Sequence, residues 1–313
     1  MQQISAPRLL DRLRPVGQPG IFLVLGALVV AVALAELSYG PVRLSISEIG
    51  RALFGWGDVG TTAIVAQIRA PRLLLGIAVG VGLSLSGCAL RGVLRNPLAD
   101  PGLIGVTGGA SVGAVTVIVL GGTLATGLPP AIRPYLLPVA AFVGAAVVTG
   151  FVFRVSRRSG TTSVATLILA GVAVNAIAGA AIGAMVYISD DRQLRDLTFW
   201  TMGSLGGANW LPVIVTLAIV AVAAISLARM GRALDLFQLG ERAAFHAGLD
   251  VERTKRKAAI LTAIAVGGAT AAAGPIGFIG LVAPHMARLI VGPNHRVVLP
   301  ASALLGTALI LGA

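Results

Sequence analysis

The stretch 73-LLLGIAVGVGLSLSGCAL-90 decides the class of fold. It holds no charged residue and lies between Arg72 and Arg91. A membrane-spanning helix needs about 20 mainly apolar residues. Gly76, Gly80, Gly82 and Gly87 recur within it, and small residues let helices approach closely in lipid.

The rest of the chain repeats the pattern. Uncharged runs lie at about Ile21 to Ala35, Leu73 to Leu90, Gly105 to Leu120, Pro134 to Phe153 and Val164 to Ile188. Others lie at about Trp210 to Ala228, Ala258 to Ala273 and Ile276 to Ile290. A ninth opens near Val297 and is still apolar at Ala313. Gly171, Gly179 and Gly183 in the fifth run read as helix-packing residues like those of the second.

Composition agrees. Of 313 residues 56% are apolar and 12% charged, about half the charge of a soluble domain at roughly 25%. Twelve acids and 24 bases cannot clothe a soluble protein of this size. A disordered chain, a disulfide-stapled domain and an ordinary soluble enzyme are excluded. The chain reads as an all-α polytopic membrane protein, with one transmembrane domain over 1–313.

The net charge of +12 would suggest nucleic acid in a soluble protein. Here it follows the positive-inside rule. With the N-terminus inside, Arg8, Arg12 and Arg14 precede the first run, which continues without a signal-peptidase site. The nine runs then place 17 of the 24 bases inside and seven outside, while the twelve acids divide six and six.

No Lys, Arg, Asp or Glu lies mid-run, which argues against a proton-driven transporter. A sodium-coupled carrier using hydroxyls and carbonyls remains the alternative class. No GxxxxGK[ST], HExxH or Cys/His cluster is present and no paired carboxylates lie within the runs, so neither a P-loop ATPase nor a metal site is expected. The single Cys88 reads as a packed core thiol.

Four connecting segments are informative. Arg229 to Lys257 is the longest inside loop, and about 231–257 of it reads as two short helical stretches broken at Gly240 and Gly248. Its apolar Leu234, Phe237, Ala243, Ala244, Phe245 and Leu249 suit a docking surface. In 95-RNPLADPG-102 the prolines force a turn. Ser189 to Trp210 predicts a short interfacial helix with Trp200 and Trp210 at the headgroups. In 274-GPIGFIGLVAPHMAR-288 a Gly-Pro break precedes run eight, and His285 reads as a packing or interface residue.

Several of these motifs together resemble one family. The stretch Ile68 to Gly113, 199-FWTMGSL-205, 239-LGERAAFHAGL-249 and Gly274 to Pro300 are similar, in this order, to the FecCD-type permeases of ABC importers for ferric siderophores, haem and vitamin B12. The resemblance implies a fold of ten transmembrane helices, of which the tenth and part of the ninth are missing here. It implies a transport subunit rather than an enzyme, binding no cofactor itself. ATP and Mg would sit on a partner ATPase.

The implied partners are a second permease copy, two ATPase copies and a periplasmic or lipid-anchored binding protein. The implied location is the bacterial cytoplasmic membrane. Residue by residue, the resemblance implies gate positions at Asn96, Leu98, Thr162 and Ser163. It implies ATPase coupling at Gly240, Glu241, Ala244 and Gly248, and binding-protein docking at Arg69 and Arg72. Ferric siderophore is the first expected cargo, with haem and vitamin B12 as alternatives.

Overall fold

The structure is a computed structural model. It describes residues 18–124, 126–158 and 161–313. Arg8, Arg12 and Arg14 lie outside the described residues.

Each of the nine apolar runs forms a helix. The first is α1 (Gln18–Ser38). Two short helices follow, α2 (Ile46–Leu53) and α3 (Val59–Ala63), each started by a side-chain cap, from Ser45 and Asp58. A π-helical turn, Ile64–Arg69, joins α3 to α4 (Ala70–Leu94), with Ala70 N donating to Val65 O. A 3-10 turn at Pro101–Ile104 leads into α5 (Val106–Leu124). Next come α6 (Leu136–Ser156), a two-residue antiparallel ladder of β1 (Arg157–Arg158) and β2 (Thr161–Thr162), and α7 (Val164–Ile188).

The interfacial segment forms α8 (Asp191–Met202), capped by Asp190 and Gln193. After α9 (Trp210–Ala228) the long loop folds as α10 (Gly231–Gln238) and α11 (Glu241–His246). The chain then forms α12 (Val251–Ala273), α13 (Ile279–Val291) and α14 (His295–Leu311). Among the described residues five stretches, Pro19–Ser38, Val59–Leu94, Arg133–Ser156, Val164–Ile188 and Trp210–Ala228, are long and apolar enough to cross a membrane. Val106–Gly122, α13 and α14 are shorter apolar helices.

The decisive stretch lies at the centre. The apolar window of the Val59–Leu94 helix is 78% buried, against 11% for α1, because α9, α12, α13 and α14 all pack on α4. Glycine makes this possible. A Cβ at Gly87 would fall 1.8 Å from the Gly280 carbonyl oxygen, and one at Gly80 would fall 2.6 Å from Thr307 Cα. Backbones so close need no side chain between them. The buried hydroxyls of Ser84 and Ser302 are satisfied within their own helices, on Gly80 O and Val298 O.

The glycines of α7 divide. Gly171 packs against Leu103 O, but Gly179 and Gly183 have nothing within 4 Å of an added Cβ. The packing expected of these two does not occur among the described residues. They lie on a helix whose apolar window is only 17% buried.

Candidate gate and coupling site

The coupling segment is fixed before it is exposed. Leu234 and Phe237 of α10 are fully buried, so they anchor the segment rather than forming a docking face. Asp235 and Gln238 hold the start of α14. Asp235 Oδ1 accepts from His295 N at 2.8 Å and lies 2.9 Å from His295 Nδ1. Gln238 Nε2 donates to Pro293 O at 3.1 Å, and Arg288 donates to Gln238 Oε1 at 2.7 Å. Burial holds the His295 imidazole below its ordinary value of 6.5, outweighing the opposing pull of Asp235.

The two glycines expected to break this segment do so. Gly240 has φ +105° and Gly248 φ +85°, a region that favours glycine. Between them α11 buries Ala244 completely and exposes Phe245, with Leu239 exposed just before it. Of the residues expected to couple, Ala244 therefore seats the helix, while Leu239 and Phe245 form its apolar outer face. Glu241 opens α11 and is part-exposed.

The gate positions lie on two turns. In the first, Asn96 Oδ1 accepts from Leu98 N at 2.9 Å, and Leu98 is 68% exposed at its tip. Arg95 closes α4 at φ +51°, and its Nη1 lies 3.7 Å from where a Gly240 Cβ would be. In the second, Ser163 caps α7 through Thr166 N at 3.3 Å, and Thr162 is buried in the β1–β2 ladder.

The second turn is joined to the coupling helix by residues that motif reading did not single out. Glu252 Oε2 accepts from Thr162 N at 3.0 Å and from Thr162 Oγ1 at 2.8 Å. Lys255, 3% exposed, donates to Thr162 O at 3.1 Å. The same ammonium lies 2.9 Å from Glu241 and 3.2 Å from Glu252. Burial alone would raise the Glu252 carboxyl, but the Thr162 hydrogen bonds and the Lys255 charge hold it below its ordinary value of 4.5. An acid and a base three apart just after the capping Asp250 were the available signal.

At the other face the two arginines expected to dock a partner differ. Arg69 is 7% exposed, and its guanidinium donates to the carbonyls of Leu37 and Val42. It ties the α1–α2 connection to the π-helical turn and offers no surface to a partner. Arg72 is half exposed and pairs with Glu36 at 2.6 Å. Trp210 donates to Ala66 O at 2.9 Å, and a Cβ at Gly274 would fall 2.5 Å from Trp200 O. Trp210 thus ties the start of α9 to the π-helical turn, and the backbone of Trp200 packs against Gly274.

A core helix wrapped by short and long apolar helices is the architecture of a polytopic membrane protein. The comparisons give its family. The FecCD transport family model matches residues 27–313, and the chain belongs to that family. It is 39% identical over 305 residues to the hemin transport system permease protein HmuU of Yersinia pestis, covering 96% of this chain and 87% of that one. It is 41% identical over 250 residues to the cobalamin import system permease protein BtuC of Halobacterium salinarum, covering 80% and 65%. A solved ABC transporter in an inward-facing conformation superposes with a TM-score of 0.82 at 31% identity, covering 94% of this chain and 88% of that one. The chain is accordingly a transport component and not an enzyme.

Proposed function

We propose that the chain is the permease subunit of an ATP-driven, binding-protein-dependent importer of a metal chelate. It works as a homodimer with two ATPase copies, which supply ATP and Mg, and a binding protein outside. The observation that carries this reading is the joint at Lys255, where one ammonium holds both the Thr162 gate turn and Glu241 of the coupling helix. Movement of α11 by an ATPase pulls on the gate turn through two short contacts. The gates then exchange sides, as alternating access requires. Asn96 and Leu98 form the facing constriction.

The orientation proposed puts the N-terminus and α10–α11 in the cytoplasm of a bacterial cell. Seventeen of 24 bases then lie inside, as the positive-inside rule favours. On the outside, Arg72 is the better of the two candidate contacts for an acidic binding protein, since Arg69 is engaged internally. Similarity to named haem and cobalamin permeases supports a tetrapyrrole chelate ahead of a ferric siderophore.

Reconstitution with a cognate ATPase and binding protein tests this. ATP-dependent uptake of haem, cobalamin or a ferric siderophore into proteoliposomes is expected, with haem first. Uptake driven by a sodium gradient with no ATPase present would overturn the importer reading in favour of a secondary carrier.

A further inference from the structure

Near the coupling end, residues of α6 and α12 line a groove of about 1150 Å³. Its inner walls are apolar, with Phe142, Phe153, Ile260 and Ile264 facing across it. Gly150 lies in its lining with nothing within 4 Å of an added Cβ. Its mouth is basic, with Arg154 and Arg157 on one wall and Arg253 and Arg256 on the other. None of these four guanidinium groups makes a hydrogen bond or ion pair among the described residues.

The acids present are already engaged. Asp250 Oδ1 accepts from Arg253 N at 2.9 Å, and Glu252 is held by Thr162 and Lys255. Four unpaired like charges around one opening repel one another and favour an anion there. A further polar group lies deeper. Thr149 is 4% exposed, lines the groove, and its Oγ1 has no hydrogen-bond partner among the described residues. A buried hydroxyl left unpaired is costly, which points to an absent acceptor.

The spacing of these features identifies the anion. Phe142 lies twelve residues along α6 from Arg154, about 18 Å at 1.5 Å per residue. One leaflet of hydrocarbon is about 15 Å deep, half of roughly 30 Å. Thr149 lies about 7.5 Å above Arg154 by the same rise, the depth at which a phospholipid carries its ester carbonyls below its phosphate. A free phosphate would use the mouth alone and leave the apolar walls and Thr149 uncovered.

We propose that this groove binds an anionic phospholipid from the leaflet on the coupling side. Its phosphate lies among Arg154, Arg157, Arg253 and Arg256, an ester carbonyl accepts from Thr149, and an acyl chain lies along Phe142 and Ile264. Basic pockets between transmembrane helices hold anionic headgroups on this principle. Because Thr162 also lines the groove, the lipid touches the gate turn.

Native mass spectrometry of the full chain, titrated with phosphatidylglycerol or phosphatidylcholine of matched acyl chains, tests this. Phosphatidylglycerol is expected to bind about tenfold more tightly, and Arg154→Gln with Arg256→Gln to remove that preference. Gly150→Phe fills the groove without changing charge and is expected to weaken phosphatidylglycerol equally. Photo-crosslinks from an acyl-chain diazirine should map to α6 and α12. Equal binding of the two lipids by the parent protein overturns the proposal, which needs no variant to fold. So do crosslinks spread evenly over the apolar surface, displacement of the lipid by inorganic phosphate at equal concentration, or crosslinks joining two protein copies through the groove.

Discussion

Lys255 illustrates what one side chain can decide. It is a buried cation with two carboxylates and a carbonyl around it, drawn from three elements. Its carboxylate partners keep contact with water, so losing the lysine costs about 1–3 kcal/mol rather than the full penalty of an orphaned buried charge. Lys255→Met is therefore expected to leave an assembled complex that still hydrolyses ATP while transport falls about tenfold or more, as for any lost positioning contact. Parent-like transport per ATP would remove Lys255 from the coupling path. Glu252 gives the same joint a pH dependence. Its carboxyl is held below 4.5 in the folded chain, so its contribution is complete above that value and is lost as pH falls through the lowered one. Thermal melting between about pH 5 and 3 should fall more steeply for the parent than for Glu252→Gln, and parallel curves would contradict this. The Glu252–Lys255 spacing was the one signal in sequence, and it is masked because in 253-RTKRK-257 a lysine looks like one more positive-inside charge. The breaks at Gly240 and Gly248 were legible, because each needs a positive φ that other residues resist.

Among the elements, α7 and α9 begin and end where the apolar runs do, because the capping Ser163 of α7, the polar Asn209 before α9 and the following polar turns mark their ends in sequence. Run eight was drawn too early. Ile276 is apolar, but the chain is still irregular there, and Phe278 sits at φ +67° before α13 can start. Hydrophobicity alone does not report a left-handed residue. The packing of α4 on α13 was legible as a row of glycines, though not as a particular pair. Gly87→Leu tests that pair. Its Cβ would collide with Gly280 O, so the helices must separate, at about 3 kcal/mol or more. A lowered melting temperature and loss of monodisperse protein after extraction are expected, and a parent-like melt would show that the contact relaxes freely.

At the scale of the whole molecule, the faces left uncovered are as informative as the core. α7 exposes Gly179 and Gly183 with open space before them, which suits the pairing of two permeases proposed above. Gly179→Trp should leave the melting temperature of the single chain unchanged and abolish the paired species in mass measurement. Retention of the pair would place the interface elsewhere. Arg69 is turned inward, onto the Leu37 and Val42 carbonyls, for a reason at this same scale. The π-helical turn Ile64–Arg69 holds one more residue per turn than the α-helices on either side, so motif spacing across it does not translate into a shared face. The turn acts as a phase shifter in a continuous helical run of 36 residues. That run is about 54 Å long at 1.5 Å per residue, well beyond the roughly 30 Å of bilayer hydrocarbon. Removing one residue would let this turn close as an ordinary α-turn with the rod intact, so the helix before it keeps its direction while its residues move one place in register. At this place the number of residues, more than their identity, sets which side chains before the turn share a face with those after it.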